Sequence, residues 1–309
     1  MHVPIRSWSV LVCAAAMLLV ASSAVAQIED QVSEYAEANG EGYLMPLADA
    51  MGSALNGGLW HSAYIPSDGV YVNIETRLIA VYFDDEQRTF TFAIPEGTTL
   101  VEGGSLDVPT VVGETVGGVI DVDGGPDPNY VPGFDINSFA IATPQIRIGG
   151  FKGTEFIIRY IAFDAGDVEL GNMSLLGLGG RHSISQYLAP DFPVDIAAGL
   201  FWQSFKLGDE LIDATAMTFG VQGSKRFPAG FAIIEPYVGV GYDMFSMDVT
   251  YDFEDEAEVE PITLEMESDA AMRFTLGLHL RAAFLDLNGE YSIAGQNGFA
   301  LGLGFAFGG

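Results

Sequence analysis

The C-terminal part of the chain alternates strictly between apolar residues and polar or small ones, and this pattern limits the possible folds more than any other feature. In residues 272–281 one face is wholly apolar and consists of Met272, Phe274, Leu276, Leu278 and Leu280. Residues 285–293 and 299–307 repeat the pattern. A period of two puts alternate side chains on opposite faces of a β-strand. Segments of about ten residues with one apolar face are typical of tilted strands that cross a membrane.

Helices offer no alternative way across a lipid bilayer for this sequence. Beyond residue 26, no segment contains the roughly 18 consecutive apolar residues that a membrane helix needs, so a closed barrel is the remaining spanning structure. The chain has 42 acidic and 12 basic residues, a net charge of -30, and yet a mean hydropathy of +0.28. A soluble β-sandwich also alternates with period two, but it rarely carries so many long strands with aromatic residues facing outward. We therefore predict an all-β, antiparallel transmembrane barrel of about 12 strands, within a range of about 10 to 14.

Nine further strands are predicted upstream of the three C-terminal ones. They lie near 57–65, 69–83, 87–95, 143–151, 153–163, 172–186, 193–206, 213–226 and 231–244. Outer-membrane barrels join their strands by short periplasmic turns and longer external loops. The pattern assigns to the periplasmic side the turns at 282–284, 227–230, 151–153 and 84–87. It assigns to the external side the connections at 252–261, 207–212, 164–171 and 96–140.

The first 26 residues have the features of a secretory signal peptide. His2 and Arg6 form a basic start, residues 10–20 are apolar, and residues 24–26 give an A-x-A cleavage site. We therefore expect export, cleavage and residence in the cell outer membrane. The single cysteine, Cys13, lies in this segment, so the cleaved chain would have neither a disulfide of its own nor a thiol nucleophile.

A short segment with helical spacing comes next. Leu44, Leu47, Met51 and Leu55 recur at intervals of three or four residues, which predicts a short amphipathic helical element, either one helix or two that are broken around Asn39-Gly40 and Pro46. The resulting division is a signal peptide over 1–26, a helical periplasmic or plug segment over 27–56, and an outer-membrane β-barrel over 57–309.

The polar faces of the predicted strands bring charged residues into the barrel lumen, where they are candidates for lining it or binding a ligand. They are Glu75, Arg77, Arg147, Glu155, Arg159, Arg181, Asp195, Glu235, Asp243, Arg273, His279, Arg281, Asp286 and Glu290. A tight turn near 282–284 would set His279 opposite Asp286 and Thr275 opposite Glu290. Two interpretations stay open: ion pairs that brace the barrel interior, and a ring that selects a solute or holds the plug.

Other chemistry is weakly represented in the sequence. His182 and Ser183 are neighbours on a predicted strand and so point to opposite faces, and G-x-S-x-G is missing. We therefore expect neither an enzyme nor a cofactor. The acidic excess argues against nucleic acid as a partner. The stretches 121–127 and 252–260 are rich in carboxylates but lack the spacing of a calcium loop, so we expect acidic loops that divalent cations screen, without a defined metal site.

Several short motifs resemble a family of uncharacterised Gram-negative proteins that is grouped as a domain of unknown function. The motifs are residues 43–47, Gly52, residues 55–58, Ala63, residues 152–155, Arg159-Tyr160 and residues 177–185. The resemblance covers nearly all of the chain after residue 26; it implies a barrel and supplies no site residues. A looser likeness, at the level of the fold, is to the long-chain fatty-acid transporters of the outer membrane, which also place an N-terminal hatch inside a barrel.

Three functions are compatible with these features. The leading hypothesis is a channel or carrier for a small solute, with a hydrophobic solute among the options. The second is a non-conducting structural or surface-interaction barrel with acidic external loops. The third is a lipid-modifying enzyme. Outer-membrane lipid is the expected surrounding in each case.

Overall fold

The structure is a computed structural model, and it describes residues 31–308 except 34, 36, 165–171, 190–191, 209–210 and 255–258. The predicted signal peptide lies outside the described residues. So does most of the predicted loop at 164–171 and the centre of the predicted loop at 252–261.

Ten antiparallel strands close into a barrel. In chain order they are β1 (Tyr71–Tyr82), β2 (Ser138–Phe151), β3 (Thr154–Asp164), β4 (Asn172–Ser183), β5 (Asp195–Leu207), β6 (Ile212–Ser224), β7 (Ala232–Glu254), β8 (Val259–Ala282), β9 (Leu285–Ile293) and β10 (Gly298–Gly308). Each strand pairs with its neighbour along the chain, and β1 pairs with β10 to close the sheet. Closure gives every strand two partners, which satisfies the backbone polar groups in lipid.

Alternate residues of each strand point to the lumen and to the outside. In β10, Leu301 and Leu303 are exposed on the outer face, whereas Gly302 and Gly304 are buried. The predicted fold class is therefore confirmed: an all-β antiparallel barrel with a short N-terminal helix, whose ten strands fall within the predicted range. Among the described residues, no helix is long and apolar enough to cross a membrane.

The predicted strand at 57–65 is wrong, and the one at 87–95 shrinks to Thr89–Thr91 outside the barrel. The first segment is irregular because it lies among luminal side chains, and its carbonyls accept hydrogen bonds from Gln145, Arg159 and Arg181 rather than from a neighbouring strand. With these two strands gone, residues 84–87 are not a periplasmic turn. They belong to one long connection between β1 and β2 that also contains residues 96–137 of the predicted loop 96–140, whose last three residues begin β2.

This connection, residues 83–137, folds as a small cap over one end of the barrel. It contains a 3-10 helix (Asp85–Arg88) and three two-stranded ribbons, which pair Thr89–Thr91 with Asp107–Pro109, Thr99–Leu100 with Val122–Asp123, and Gly118–Val119 with Asn129–Tyr130. We call this end of the barrel the loop end and the opposite one the turn end. The turn end carries a second 3-10 helix (Ser185–Tyr187) and a short strand (Phe227–Ala229) that pairs with β7.

One helix, α1 (Glu37–Leu55), lies inside the barrel beneath the cap. Its apolar residues pack in one core with the cap and with the inner faces of β7 and β8; these residues include Tyr43, Leu44, Leu47, Met51 and Leu55. The fit is close at Gly52, where a Cβ atom would lie 2.8 Å from the Phe245 ring. The apolar face from which the helix was predicted is therefore buried against the lumen wall near the loop end.

Residues 37–65, which we call the luminal segment, run through the barrel from the loop end to the turn end. Just before the segment, Tyr35 lies at the cap: its hydroxyl accepts a hydrogen bond from the Val131 amide at 2.8 Å. Burial raises the pKa of Tyr35 to about 12, so the hydroxyl stays protonated. Just after the segment, Ser67 reaches the turn between β2 and β3, where its carbonyl accepts from the Lys152 amide at 2.9 Å. The chain then enters β1.

Candidate functional site: the charged lumen

Twelve of the charged candidates from the sequence lie buried in the lumen, each with no more than 7% of its surface exposed. They are Glu75, Arg77, Arg147, Glu155, Arg159, Arg181, Glu235, Asp243, Arg273, His279, Asp286 and Glu290. The other two lie at the turn end: Arg281 donates to the Gly308 carbonyl at 3.0 Å, and Asp195 pairs with Arg226 at 3.4 Å. Whether the twelve bind a solute stays a prediction.

Arginine side chains from the wall bind the backbone of the luminal segment. Arg159 donates to the carbonyls of Leu55, Gly57 and Gly58 at 3.1, 2.9 and 2.8 Å. Arg273 donates to the Ser53 carbonyl at 2.8 Å, and Arg181 donates to that of Ser62. An irregular buried backbone needs partners for its carbonyls, and these guanidinium groups provide them.

Carboxylates of the wall neutralise most of the arginines. Glu75 lies 3.1 Å from Arg147, Glu155 lies 2.6 Å from Arg181, and Asp243 lies 2.7 Å from Arg273.

Glu290 instead links the wall to the luminal segment, since one oxygen accepts from the Gly58 amide at 2.9 Å and the other from the Tyr237 hydroxyl at 2.9 Å. Buried charges are tolerated only when they are paired and hydrogen-bonded, so wall and segment depend on each other.

The predicted pairing of β8 with β9 is wrong by two residues. His279 lies opposite Asn288, and Thr275 lies opposite Ser292 rather than Glu290. The shift arises at the turn, where Ala283 adopts a positive φ of 54° and only residues 283 and 284 separate the paired strands. The expected contact still forms diagonally, because His279 Nε2 lies 3.1 Å from Asp286 Oδ2.

Sequence reasoning missed His61, which belongs to the luminal segment and lies beside His279 with ring centroids 4.2 Å apart. It also missed Gln145 and Gln203, which share this lumen and hydrogen-bond to the luminal segment. Gln145 could have been found, since it follows the same alternation as Arg147. His61 could not have been found in this way, because the alternation of residues 57–65 predicts a strand of the wall.

Small cavities lie beside these groups in the lumen. Two cavities in the described part have volumes of about 40 and about 10 Å3. A water molecule needs roughly 10–15 Å3 of such space, so the larger cavity has room for a few waters only. Its lining includes Trp60 from the luminal segment, Gly239 and Gly241 from the wall.

The remaining sequence candidates have ordinary structural contacts. His182 lies at the turn end, with Nδ1 2.9 Å from Thr154 Oγ1 and Nε2 2.8 Å from the Tyr187 hydroxyl. In the cap, Asp127 accepts a hydrogen bond from the Val122 amide at 2.9 Å. The expectation that the protein is not an enzyme stays a prediction.

A closed antiparallel sheet with an apolar outer face and a filled polar interior defines this protein as an outer-membrane β-barrel. More particularly, the chain belongs to a family of unknown function, DUF6588, whose model matches residues 5–307. Comparison with curated proteins gives no match.

Several solved barrels are similar in fold. The β domain of the Bordetella autotransporter BrkA has 12% identity and a TM-score of 0.34, with 78% of this chain and 100% of that chain covered. The outer-membrane protease OmpT of Escherichia coli has 7% identity and a TM-score of 0.31, with coverages of 79% and 97%. A FadL homologue of Pseudomonas aeruginosa has 9% identity and a TM-score of 0.21, with coverages of 84% and 96%. At these identities and TM-scores, none of the three barrels indicates a function for this chain.

Proposed function

We propose that the protein is a non-conducting outer-membrane barrel that keeps its luminal segment in place and acts through the structured cap at its loop end. The observation that carries this proposal is the set of hydrogen bonds from Arg159, Arg181 and Arg273 to carbonyls of the luminal segment. Because these bonds join the luminal segment to the wall, we expect the segment to stay in the lumen and not to leave it as a movable plug.

The energetics favour a lumen that stays closed. If the luminal segment were withdrawn into a dry barrel, each buried donor or acceptor left unpaired would cost about 1–3 kcal/mol. Arg159 alone would lose three carbonyl partners. Water entering the lumen would recover part of this cost, but the apolar contacts of α1 with the cap and the upper wall would also be lost.

The loop end is built to extend beyond the membrane. Strands β7 and β8 have 23 and 24 residues, whereas about 9–11 residues suffice to cross the hydrocarbon core. The halves of β7 and β8 nearest the loop end, together with the cap and α1, enclose an apolar core. The loop end is therefore a folded structure with its own apolar core, and a simple pore does not require such a structure.

A channel or carrier for a small solute is the second candidate, and one observation favours it. The ladder between β7 and β8 shifts register between Asp243 and Phe245, and the smaller cavity lies there between Met244 and Gly52. An opening at this shift would lead from the lumen through the wall into lipid, which suits a hydrophobic solute.

Planar bilayer recordings separate the two candidates. Full-length protein, shown to be folded by its heat-modifiable migration, should give no stepwise conductance, while a porin inserted in parallel gives steps. Stable conductance steps from the folded protein would overturn the proposal in favour of a channel. Transport of a labelled fatty acid into liposomes, without ion conductance, would favour the carrier.

A further inference from the structure

We infer that the lumen contains a binding site for a transition-metal ion of the zinc class, formed by His61, His279 and Asp286. One ligand atom from each of the three residues can be chosen so that all lie within 4.8 Å of one another, and all three residues are buried. This site goes beyond the proposed function, since a closed barrel does not require it.

The distance from each histidine to an oxygen of the Asp286 carboxylate suits a tetrahedral metal. His61 Nε2 lies 3.4 Å from Asp286 Oδ1, and His279 Nε2 lies 3.1 Å from Asp286 Oδ2. In tetrahedral zinc sites the bonds to nitrogen and oxygen are about 2.0–2.2 Å, which places neighbouring ligand atoms about 3.3–3.5 Å apart. Two imidazoles and a carboxylate form a donor set that zinc accepts, with one position left for water or another ligand.

Each histidine also has a carboxylate behind it. His279 Nδ1 lies 3.4 Å from Glu235 Oε2, and His61 Nδ1 lies 4.0 Å from Glu75 Oε2. Histidines that bind a metal usually donate the other ring N–H to a carboxylate, a carbonyl or water, which fixes the ring and the tautomer. His279 follows this arrangement, with Nε2 toward Asp286 and Nδ1 toward Glu235, whereas His61 presents Nε2 to Asp286 and its Nδ1 lies beyond hydrogen-bond distance of Glu75.

The site has polar atoms whose contacts are poorly aligned, and it has an excess of negative charge that a cation would reduce. His279 Nε2 and Asp286 Oδ1 are buried, and their contacts with Asp286 Oδ2 and His61 Nε2, at 3.1 and 3.4 Å, lack good hydrogen-bond geometry, although buried polar atoms are nearly always well hydrogen-bonded in folded proteins. The twelve buried luminal residues include six carboxylates and five arginines. Among the described residues, Glu235 and Asp286 form ion pairs only with histidines and not with an arginine, so the site is locally negative when the imidazoles are neutral.

Arg147 is the group that competes with a metal. Its Nη2 lies 2.7 Å from His61 Nε2. The same guanidinium reaches Glu75 at 3.1 Å and Glu155 at 3.9 Å, so it can keep two carboxylates as partners when the His61 contact is given up. The metal would join His61 of the luminal segment to the β8–β9 hairpin.

The test is metal content after refolding. The cleaved chain is refolded in detergent with excess Zn2+, passed over a chelating resin, and analysed by elemental mass spectrometry, with heat-modifiable migration as the measure of folding. We expect about one zinc per folded chain, and at least a tenfold lower content in His279→Ala and in His61→Ala. His182→Ala is the matched control, because it removes a histidine outside the site and should keep its zinc.

Two further variants keep the test sharp if an alanine variant misfolds. Asp286→Asn preserves the size of the side chain and should also lose zinc, whereas Glu235→Gln should weaken zinc binding about 10–100-fold. Refolding with Co2+ should give the visible absorption of a tetrahedral complex. Folded protein that retains no zinc or cobalt would overturn the inference, and so would zinc that survives both His279→Ala and Asp286→Asn.

Discussion

Arg159 shows how a single residue connects the lumen wall to the segment inside it. Its guanidinium is completely buried and donates four hydrogen bonds, one to the Gln145 side chain and three to carbonyls of residues 55–58. The planar fork of arginine presents five N–H donors in fixed directions, whereas the ammonium group of lysine would reach fewer acceptors.

Replacing this side chain by an apolar one of similar length should destabilise the protein strongly. In Arg159→Met the Gly57 carbonyl loses its donor and the carbonyls of Leu55 and Gly58 each lose one of two donors, so we expect the free energy of unfolding to fall by about 3 kcal/mol. Urea titration in detergent micelles, followed by tryptophan fluorescence, measures the change. Arg88→Met is the control, since Arg88 pairs with the exposed Asp135 in the cap and should matter by about 1 kcal/mol or less. Equal effects of the two substitutions would argue against the role of Arg159.

The alternation of residues could predict which side chains face the lumen, but not what they contact. Arg77, Arg159 and Glu290 were placed correctly because a period of two fixes the face of every strand residue. The partner of a residue across a hairpin depends on the turn. Because the turn consists of residues 283 and 284, with a positive φ at Ala283, His279 pairs with Asn288 and not with Asp286. His61 follows no strand period, and only the three-dimensional path of the luminal segment brings it to His279.

At the scale of elements, strand length divides the barrel into a membrane band and an external part. The outward residues of β8 near its C-terminal end are apolar and exposed, with Leu276 64% exposed. Toward its start the exposed residues are polar, as at Thr263, Glu265 and Glu267. The apolar stretch of the strand therefore marks the part that lies in lipid.

A charge on the outer face should be tolerated in one part of β8 and not in the other. Leu276→Arg places a cation among acyl chains and is expected to cost about 2–4 kcal/mol near the bilayer midplane. Thr263→Arg, on the same strand but beyond the apolar stretch, should change stability by less than about 1 kcal/mol. Refolding into lipid vesicles followed by denaturant titration compares them. A harmless Leu276→Arg would mean that this face is not covered by lipid.

Two elements were mispredicted for the same physical reason. The segments 57–65 and 87–95 alternate in sequence, but neither is paired into the barrel. The first is buried in the lumen and the second belongs to the cap. Alternation indicates that one face of a segment is buried, but it does not show whether that face packs against lipid, the lumen or the cap. The helix was predicted because its apolar spacing has a longer period, although its place inside the barrel was one of two options.

At the scale of the whole molecule, the direction of the luminal segment has a consequence for topology. Tyr35 contacts the cap through Val131 and β7 through Tyr251, whereas residues 67–70 lie at the turn end before β1. If the loop end faces outward, as in other outer-membrane barrels, then Tyr35 lies on the cell-surface side and the luminal segment enters the lumen from there.

An epitope tag locates that end. A tag inserted after Gln27 should be detected by antibody on intact cells, as should one inserted at Val116 in the cap. A tag in the turn at Phe284 should be detected only after the outer membrane is permeabilised. If the tag after Gln27 behaved like the one at Phe284, the helix would have to enter the lumen from the periplasmic side.

Residues 37–65 fill the lumen along its length, and thiol labelling tests this central claim most directly. The predicted mature chain has no cysteine, so Ser62→Cys introduces a single thiol of nearly the same shape at a position that is 7% exposed. In the folded barrel this thiol should resist a small maleimide for hours and react at once after unfolding, while Val101→Cys in the cap reacts within minutes. Labelling of Ser62→Cys in the folded barrel at the rate of Val101→Cys would show an open lumen and contradict the account.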